Sequence, residues 1–486
     1  MQNTERKTKI VATLGPATWA PEMIEKLMKA GVNVFRFNFS HADYVIAEKA
    51  IKDIRALSVQ LNNPVMIFID LQGPKIRLSR FINGKVSLVE GQKFTLTIDQ
   101  DVQGTEEICA TSYLPLVNDA IPGNMILLDD GKIRLEVLSK DEKNVYTKVL
   151  NSADISDRKG MNMPGMKLSV SSLAEKDKKD VLFGLKQDVD YFALSFVRTP
   201  ECVQELRDFL KEHGSTHKII SKIEKPEAVD NLDAIIAVSD AIMVARGDLG
   251  VEMAFEQVPM VQKMMIKKTN FAGKPIIVAT QMLESMISSP VPTRAEVSDV
   301  ANAIYDCTDA VMLSGETAAG KYPLEAVTAM AKVAAAVDAQ QSERKKKLIN
   351  RKSQYIAEHS VRSSLCDAAD ELADEIGAKA MITFTDSGKT ALMLAKHRSS
   401  VPIIAITDNE KTLHQMAFYR GVWPVLAPKK FTDLKGLKEM LQVAESRSIE
   451  LGLLKQGDTV VMMAGIPIAM AGSTNMIRVH QIGEPF

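Results

Sequence analysis

HKIISKIEKPEAV, residues 217–229, begins as a buried β-strand and ends in charge. Ile219, Ile220 and Ile223 form the continuous, β-branched apolar run of a strand covered on both faces. Lys222 and Glu224 interrupt the run at its end. Side chains two apart on a strand share a face, so an ammonium and a carboxylate stand together at one end of the sheet, and the chemistry they serve has to be found in the rest of the chain.

Seven further runs have the same texture, and each is followed by a segment of helical period: 9–15, 32–40, 65–71, 190–197, 241–250, 275–283 and 310–317. Residues 21–31, PEMIEKLMKAG, show the helical pattern with Pro at the first turn and Gly at the end. Eight continuous apolar strands alternating with helices predict a closed parallel (β/α)8 TIM barrel. The third unit is interrupted by segments that alternate apolar and polar residues and turn at Gly or Asp-Gly, at 85–99, 124–138 and 144–150, which predicts hairpins of a small inserted β-barrel domain. Strand-like runs at 380–385, 402–407, 422–427 and 459–465 predict a separate C-terminal α/β domain. The expected division is 1–70 with 166–345 for the barrel, 71–165 for the insert and 355–486 for the last domain. The charge run SERKKKLINRK, 342–352, reads as a solvated linker or helix end.

Composition narrows the function. Among 486 residues, 60 Lys and Arg nearly cancel 61 Asp and Glu, so no global field recruits nucleic acid or an anionic membrane, and an anionic ligand has to be held by local charge. Four scattered cysteines with no CxxC pair argue against a disulfide framework or a zinc site. No apolar run approaches the ~20 residues of a membrane span. A cytoplasmic protein is expected.

In a barrel of this class the active site lies at the carboxyl ends of the strands. Those ends carry Arg36, Asn38, Ser40 and His41, then Asp70, Ser195 and Arg198, Lys222 and Glu224, Arg246 and Asp248, Thr280 and Gln281, Ser314 and Glu316. Glu224 and Asp248 supply two hard oxygen ligands, the incomplete shell that Mg²⁺ accepts when water and an anionic substrate complete it. Lys222 and Arg36 add positive charge suited to a transferring phosphoryl group. The residues favour metal-assisted phosphoryl or enolate chemistry over aldol cleavage by a Schiff-base lysine, whose depressed pKa nearby carboxylates would oppose. A Mg²⁺-dependent barrel that cleaves carbon–carbon bonds and a catalytically silent sensor on the same fold stand as alternatives.

At these residues the chain is very similar to the pyruvate kinase family. The likeness runs through TKIVATLGPAT (8–18), RFNFSH (36–41), GPKIR (73–77), KGMNMPG (159–165), SKIEKPEAVDN (221–231), MVARGDLGVE (243–252), ATQMLESM (279–286), PTRAEVSDVANAI (292–304) and MLSGETAAGKYPLEAV (312–327). It reaches the last domain at TFTDSGKTA (383–391) and more loosely at 471–479. Transfer of the phosphoryl group of phosphoenolpyruvate to ADP in glycolysis is the activity this implies, followed by protonation of the enolate. The resemblance assigns Lys222 and Arg36 to the phosphoryl group, Glu224 and Asp248 to Mg²⁺, for which Mn²⁺ can substitute, and the Gly247 backbone to the substrate. Thr280 matches the hydroxyl that guides the proton. Asn38, His41, Arg77 and Lys159 match nucleotide contacts, the last from an insert that acts as a lid. A homotetramer is the usual assembly.

Two departures refine that picture. The family's K⁺ pocket corresponds to Asn38, Ser40, Asp70 and the Leu71 carbonyl, but Lys75 stands where K⁺-dependent members carry glutamate. Its tethered ammonium would fill the role of the ion, so K⁺ is not expected to be required; Leu71, Gln72 and Leu78 match the pattern that accompanies this lysine. The loop TDSGKTA, 385–391, resembles a Walker A ending, yet Thr383 occupies the position of a required glycine. Its counterpart in relatives binds a phosphorylated effector, which implies a sugar-phosphate or AMP site at Thr385, Ser387, Gly388, Lys389 and Thr390. Asp386 stands where some members carry a basic residue, which argues against fructose 1,6-bisphosphate.

Overall fold

The computed structural model describes residues 6–40, 42–347, 360–433, 436–465 and 474–485. His41, residues 466–473 and part of the charge run lie outside the described residues.

Eight parallel strands close into a barrel: β1 (Lys9–Leu14), β2 (Val34–Asn38), β3 (Met66–Asp70), β4 (Tyr191–Leu194), β5 (Lys218–Ile223), β6 (Ala241–Ala245), β7 (Ile276–Ala279) and β8 (Ala310–Leu313). Each neighbours the next in sequence, and β1 pairs with β8. All eight lie within the expected runs. Several runs extend past their strands, because the chain turns into a helix sooner than apolar content suggests: β6 ends at Ala245 and a helix begins at Arg246. The helix Pro21–Ala30 stops at Gly31, whose φ of 116° is open to glycine at little cost.

Alternation splits the strand side chains between two cores. Residues such as Ile10, Phe35, Ile67 and Ile219 pack outward against the helices. Val11, Met66, Phe68, Ile220, Met243 and Met312 fill the barrel, and their cluster continues through its amino-terminal end into the C-terminal domain. There Tyr191 meets Phe418 edge to face, with ring centroids 6.0 Å apart.

The insert contains a six-stranded sheet in the order Met161–Asn162, Met125–Leu128, Ile133–Lys140, Asn144–Val149, Lys93–Thr97, Ile108–Ala110. Residues 76–79 join its two edges: Leu78 bridges to Thr111 and Arg77 to Gly160, so the sheet closes on itself as the expected small barrel. Two of the expected hairpins form, around Asp129–Asp130 and Asp141. The third does not. Lys85–Leu88 turns away from Lys93–Thr97 and pairs with Ala153–Ser156, because the apolar positions of the two strands serve different partners.

The C-terminal domain is a five-stranded sheet ordered Val422–Leu426, Ile403–Thr407, Ala380–Phe384, Thr459–Gly465, Thr474–Gln481. The last strand is antiparallel and was not expected, since its half-polar composition resembles a loop. Buried charges join this domain to the barrel. Lys396 Nζ donates to Asp309 Oδ2 at 2.6 Å and Asn270 Oδ1 at 2.8 Å, and Lys9 Nζ donates to the Val422 carbonyl at 2.8 Å. Among the described residues no helix is long and apolar enough to cross a membrane.

Candidate active site

The carboxyl ends of β3, β4 and β5 converge on one ammonium. Lys222 Nζ lies 2.7 Å from Glu224 Oε1, 3.2 Å from Asp70 Oδ1 and 2.8 Å from Ser195 Oγ. β4 lies between β3 and β5, so Ser195 bridges them, and its hydroxyl also donates to the Leu71 carbonyl at 2.7 Å. Arg36, on β2, completes the group: its Nε donates to Asp70 Oδ2 at 2.7 Å and its Nη1 to Thr13 Oγ1 at 3.0 Å. Lys222, Asp70 and Glu224 are all buried.

Burial opposes every one of these charges, and the neighbours decide each outcome. For Lys222 burial works against the ammonium, but Asp70, Glu224 and Asp248 outweigh it and the pKa is raised. Asp70 is likewise penalised by burial, yet Lys222 and Arg36 hold its pKa below the ordinary value. Glu224 goes the other way: burial and then the proximity of Asp248 push its carboxyl up, despite Lys222. A buried carboxylate crowded by a second one is a site that gains from another cation. Among the described residues no group of three or more His, Cys, Asp and Glu could hold a metal ion; Glu224 and Asp248 are two carboxylates at this rim, fewer oxygen ligands than a divalent ion takes without water or substrate.

Two backbone kinks aim the remaining groups. Phe196, at φ 55°, directs its N–H to Glu224 Oε2 at 2.8 Å. Thr280 has φ 68°, an unusual conformation for a β-branched residue, with a cost on the order of 1–3 kcal/mol. Arg246 holds it there, donating through Nη2 to the Thr280 carbonyl at 2.7 Å while pairing with Asp299. The Thr280 hydroxyl accepts the Gly247 N–H at 2.7 Å and donates to the Ala279 carbonyl.

Of the four expected nucleotide contacts, Arg77 and Lys159 meet in one place, Asn38 lies outside it, and His41 is outside the described residues. Arg77, Lys159 and Lys75 line a cavity of about 340 Å³ between the insert and the barrel, together with Asp248, Phe196 and Lys225. Lys159 pairs with Asp129 at 3.0 Å. Other rim residues are structural. Glu316 is fully buried and accepts the Leu283 and Ser314 N–H groups, and Arg198 donates to the carbonyls of Leu168 and Val170. The monovalent-cation residues are only partly assembled: Asp70 and Leu71 belong to the Lys222 cluster, while the Asn38 side chain accepts the Ser40 N–H at 3.2 Å. Lys75 makes no ion pair to Asp70 among the described residues; burial, and then the neighbouring charges of Arg77 and Lys176, lower its pKa. Asp70 is already occupied by Lys222 and Arg36. In the C-terminal loop, Thr385 and Thr390 are buried and engaged, the first accepting the Gly388 N–H and the second paired with Thr474, whereas Ser387 and Lys389 are exposed.

The barrel region, residues 5–327, matches the family model described as pyruvate kinase, barrel domain, and residues 363–480 match that of the pyruvate kinase alpha/beta domain. The chain belongs to the pyruvate kinase family. It is 44% identical over 482 residues to a pyruvate kinase of Sporosarcina psychrophila, covering 99% of this chain and 81% of that one. With a pyruvate kinase of Clostridium acetobutylicum it shares 43% identity over 98% of this chain and all of the other. A crystal structure of a pyruvate kinase from Cryptosporidium parvum superposes with a TM-score of 0.91 at 36% identity, covering 99% of this chain and 98% of that one. The protein is accordingly a phosphotransferase that moves the phosphoryl group of phosphoenolpyruvate to ADP, giving pyruvate and ATP.

The fold also brings together residues to which the sequence assigned no role. Asn162, in the insert, donates to Glu252 Oε1 at 2.7 Å. Glu252 is buried and paired with Lys225, whose ammonium stands over the Phe196 ring at 5.6 Å. This chain of contacts ties the insert to the loop that aims Glu224. KGMNMPG, SKIEK and MVARGDLGVE hold three of its members, but nothing in these motifs reveals that they meet. A hydrogen bond to a charged group contributes ~1.5–3 kcal/mol. Asn162→Ala should therefore speed amide exchange in residues 159–163 by about tenfold or more while leaving β5 unchanged, as read by hydrogen-exchange mass spectrometry. Equal exchange in both proteins would remove the latch.

Proposed function

We propose that phosphoryl transfer takes place beside Lys222, at the mouth of the barrel, with the inserted domain closing over it as a lid. The single observation that supports this most is the Lys222 ammonium, buried and shared among β3, β4 and β5 at 2.7–3.2 Å. Positioning and electrostatics make up almost all of the catalysis of phosphoryl transfer. Lys222 and Arg36 face the phosphoryl oxygens. Glu224 and Asp248 would hold Mg²⁺, or Mn²⁺ in its place, which would supply positive charge against the anionic substrate. Gly247 lines the substrate through its backbone. Asn38, His41, Arg77 and Lys159 contact the nucleotide, Lys159 leaving Asp129 to do so. Thr280, held by Arg246, guides a proton to the enolate carbon.

The loop 385–390 takes a phosphorylated effector, a sugar phosphate or AMP, through Ser387, Lys389 and the amide of Gly388, with Thr385 and Thr390 shaping the turn from within. The same reading takes the protein as a homotetramer in the cytoplasm, by analogy with the usual assembly of the family.

Lys222→Met tests the centre of this reading. If the ammonium acts on the transition state, kcat should fall by about a thousandfold while the KM for phosphoenolpyruvate changes by less than about fivefold. A kcat equal to that of the unaltered protein would exclude Lys222 from the chemistry.

K⁺ independence remains part of the proposal, with a changed mechanism. Lys75 need not enter the Asp70 pocket. It stands near Lys176, whose Nζ already occupies the Phe39 carbonyl at 2.6 Å, between Asn38 and Ser40. Like charges ~4 Å apart repel by ~1–4 kcal/mol between water and an effective protein dielectric, so this edge of the pocket disfavours a monovalent cation. Activity in buffer whose cation is large and inert should rise less than about twofold on adding KCl, and Lys75→Glu should acquire K⁺ dependence. A many-fold rise in kcat of the unaltered protein with K⁺ would overturn this.

A further inference from the structure

The short connection between β4 and the helix Pro200–Glu212 touches both ends of the inserted domain. Where the chain enters the insert, Gly73 has φ 68° and lies against the Phe196 ring: a methyl group there would stand 2.7 Å from Cδ2. The Gly73 N–H is fixed on the buried Asp177 at 3.1 Å. Where the chain leaves the insert, Ser172 Oγ donates to the Phe196 carbonyl at 2.9 Å, and Arg198 donates to the carbonyls of Leu168 and Val170. The body of the insert reaches the same ring through Asn162, Glu252 and Lys225, whose ammonium stands 5.6 Å from the ring centroid.

Phe196 thus meets the insert through its ring and carbonyl, and the reacting centre through its amide. That amide donates to Glu224 Oε2 at 2.8 Å while Lys222 holds Oε1 at 2.7 Å, so the carboxylate is gripped at both oxygens. The amide reaches Glu224 because Phe196 sits at φ 55°, a left-handed conformation that a bulky residue keeps only where its surroundings fix it. The ring supplies the fixing. Gly73 blocks it on one side, and the Lys225 ammonium attracts its face. A side chain that only filled the hinge would sit as well on regular backbone, with its N–H directed elsewhere.

We propose that Phe196 is a positioning residue for Glu224, transmitting the seating of the insert to the carboxylate that takes the divalent ion; this rests on the proposed reading of the insert as a lid and of Glu224 with Asp248 as the ion's site. With the insert seated, Gly73 and the latched Lys225 confine the ring and keep the amide on Oε2. With it lifted, the ring is no longer confined, residue 196 relaxes toward extended backbone, and Glu224 loses a hydrogen bond that sets its orientation. Linkage makes the effect mutual: an ion held by Glu224 favours the seated insert by the same factor by which seating improves the ion's affinity.

Two measurements on the full-length protein test the coupling: Mn²⁺ affinity by electron paramagnetic resonance, and hydrogen exchange of residues 159–163 with and without saturating Mn²⁺. In the unaltered protein Mn²⁺ should slow that exchange about fivefold or more, the low end of a typical coupling between two sites. Phe196→Ala keeps the amide and removes the ring; the slowing should fall below about twofold, and Mn²⁺ affinity should drop by about the factor lost from the exchange. Phe196→Tyr, which keeps the ring, should restore both. Gly73→Ala, which presses a methyl group into an intact Phe196, should repeat the loss, and it carries the test if thermal melts show that Phe196→Ala does not fold. Slowing as large in Phe196→Ala as in the unaltered protein would overturn the proposal, because the ring would then be hinge packing alone. Mn²⁺ that binds the unaltered protein without slowing exchange would overturn the coupling and leave the metal site standing, whereas no binding of Mn²⁺ would overturn both.

Discussion

One ammonium holds the carboxyl ends of three strands together. Lys222 would be unstable in its buried position without Asp70 and Glu224, and those carboxylates would be unstable without it. Removing one partner of such a pair typically costs ~3–5 kcal/mol, because an uncompensated charge stays buried. An apolar replacement of the whole cluster would satisfy the fold equally well. Around this ammonium, Asp70, Glu224 and Asp248 are three carboxylates against Lys222 and Arg36. The surplus is negative, and a divalent cation is what makes such a site hospitable to an anionic substrate.

The architecture divides labour around this point. The eight-stranded barrel fixes the reacting groups on rigid strand ends, which hold side chains more closely than loops do. Strained turns at Phe196 and Thr280 aim an amide and a hydroxyl that regular strands would turn away. The insert, joined through residues 76–79 and latched by Asn162 to Glu252, brings Arg77 and Lys159 over the same opening. At the other end, buried ion pairs fasten the C-terminal domain.

Much of this was legible in the sequence because burial writes itself into composition. Strands covered on both faces are continuously apolar, and all eight barrel strands announced themselves so. The strand Thr474–Gln481 did not, because it lies at a sheet edge with exposed and half-exposed positions that permit polar residues. Strand ends were overrun where the chain passes straight into a helix, as at Arg246. The residues around the phosphoryl group were legible because charge at the end of an apolar run has few innocent explanations. Side-chain direction was not: that Lys75 has Arg77 and Lys176 as charged neighbours cannot be read from the GPKIR motif, because the partners of an ammonium on a connecting segment depend on how the insert packs. The latch was equally hidden, since it joins residues 90 apart that only the folded chain brings together.

The central claim is that Glu224 and Asp248 anchor a divalent ion beside Lys222. Electron paramagnetic resonance of Mn²⁺ titrated into the unaltered protein and into Glu224→Gln measures this without reference to turnover. The account predicts one saturable Mn²⁺ site per chain whose affinity falls at least tenfold in the variant, with the melting temperature retained. Equal affinity in the two proteins would contradict it.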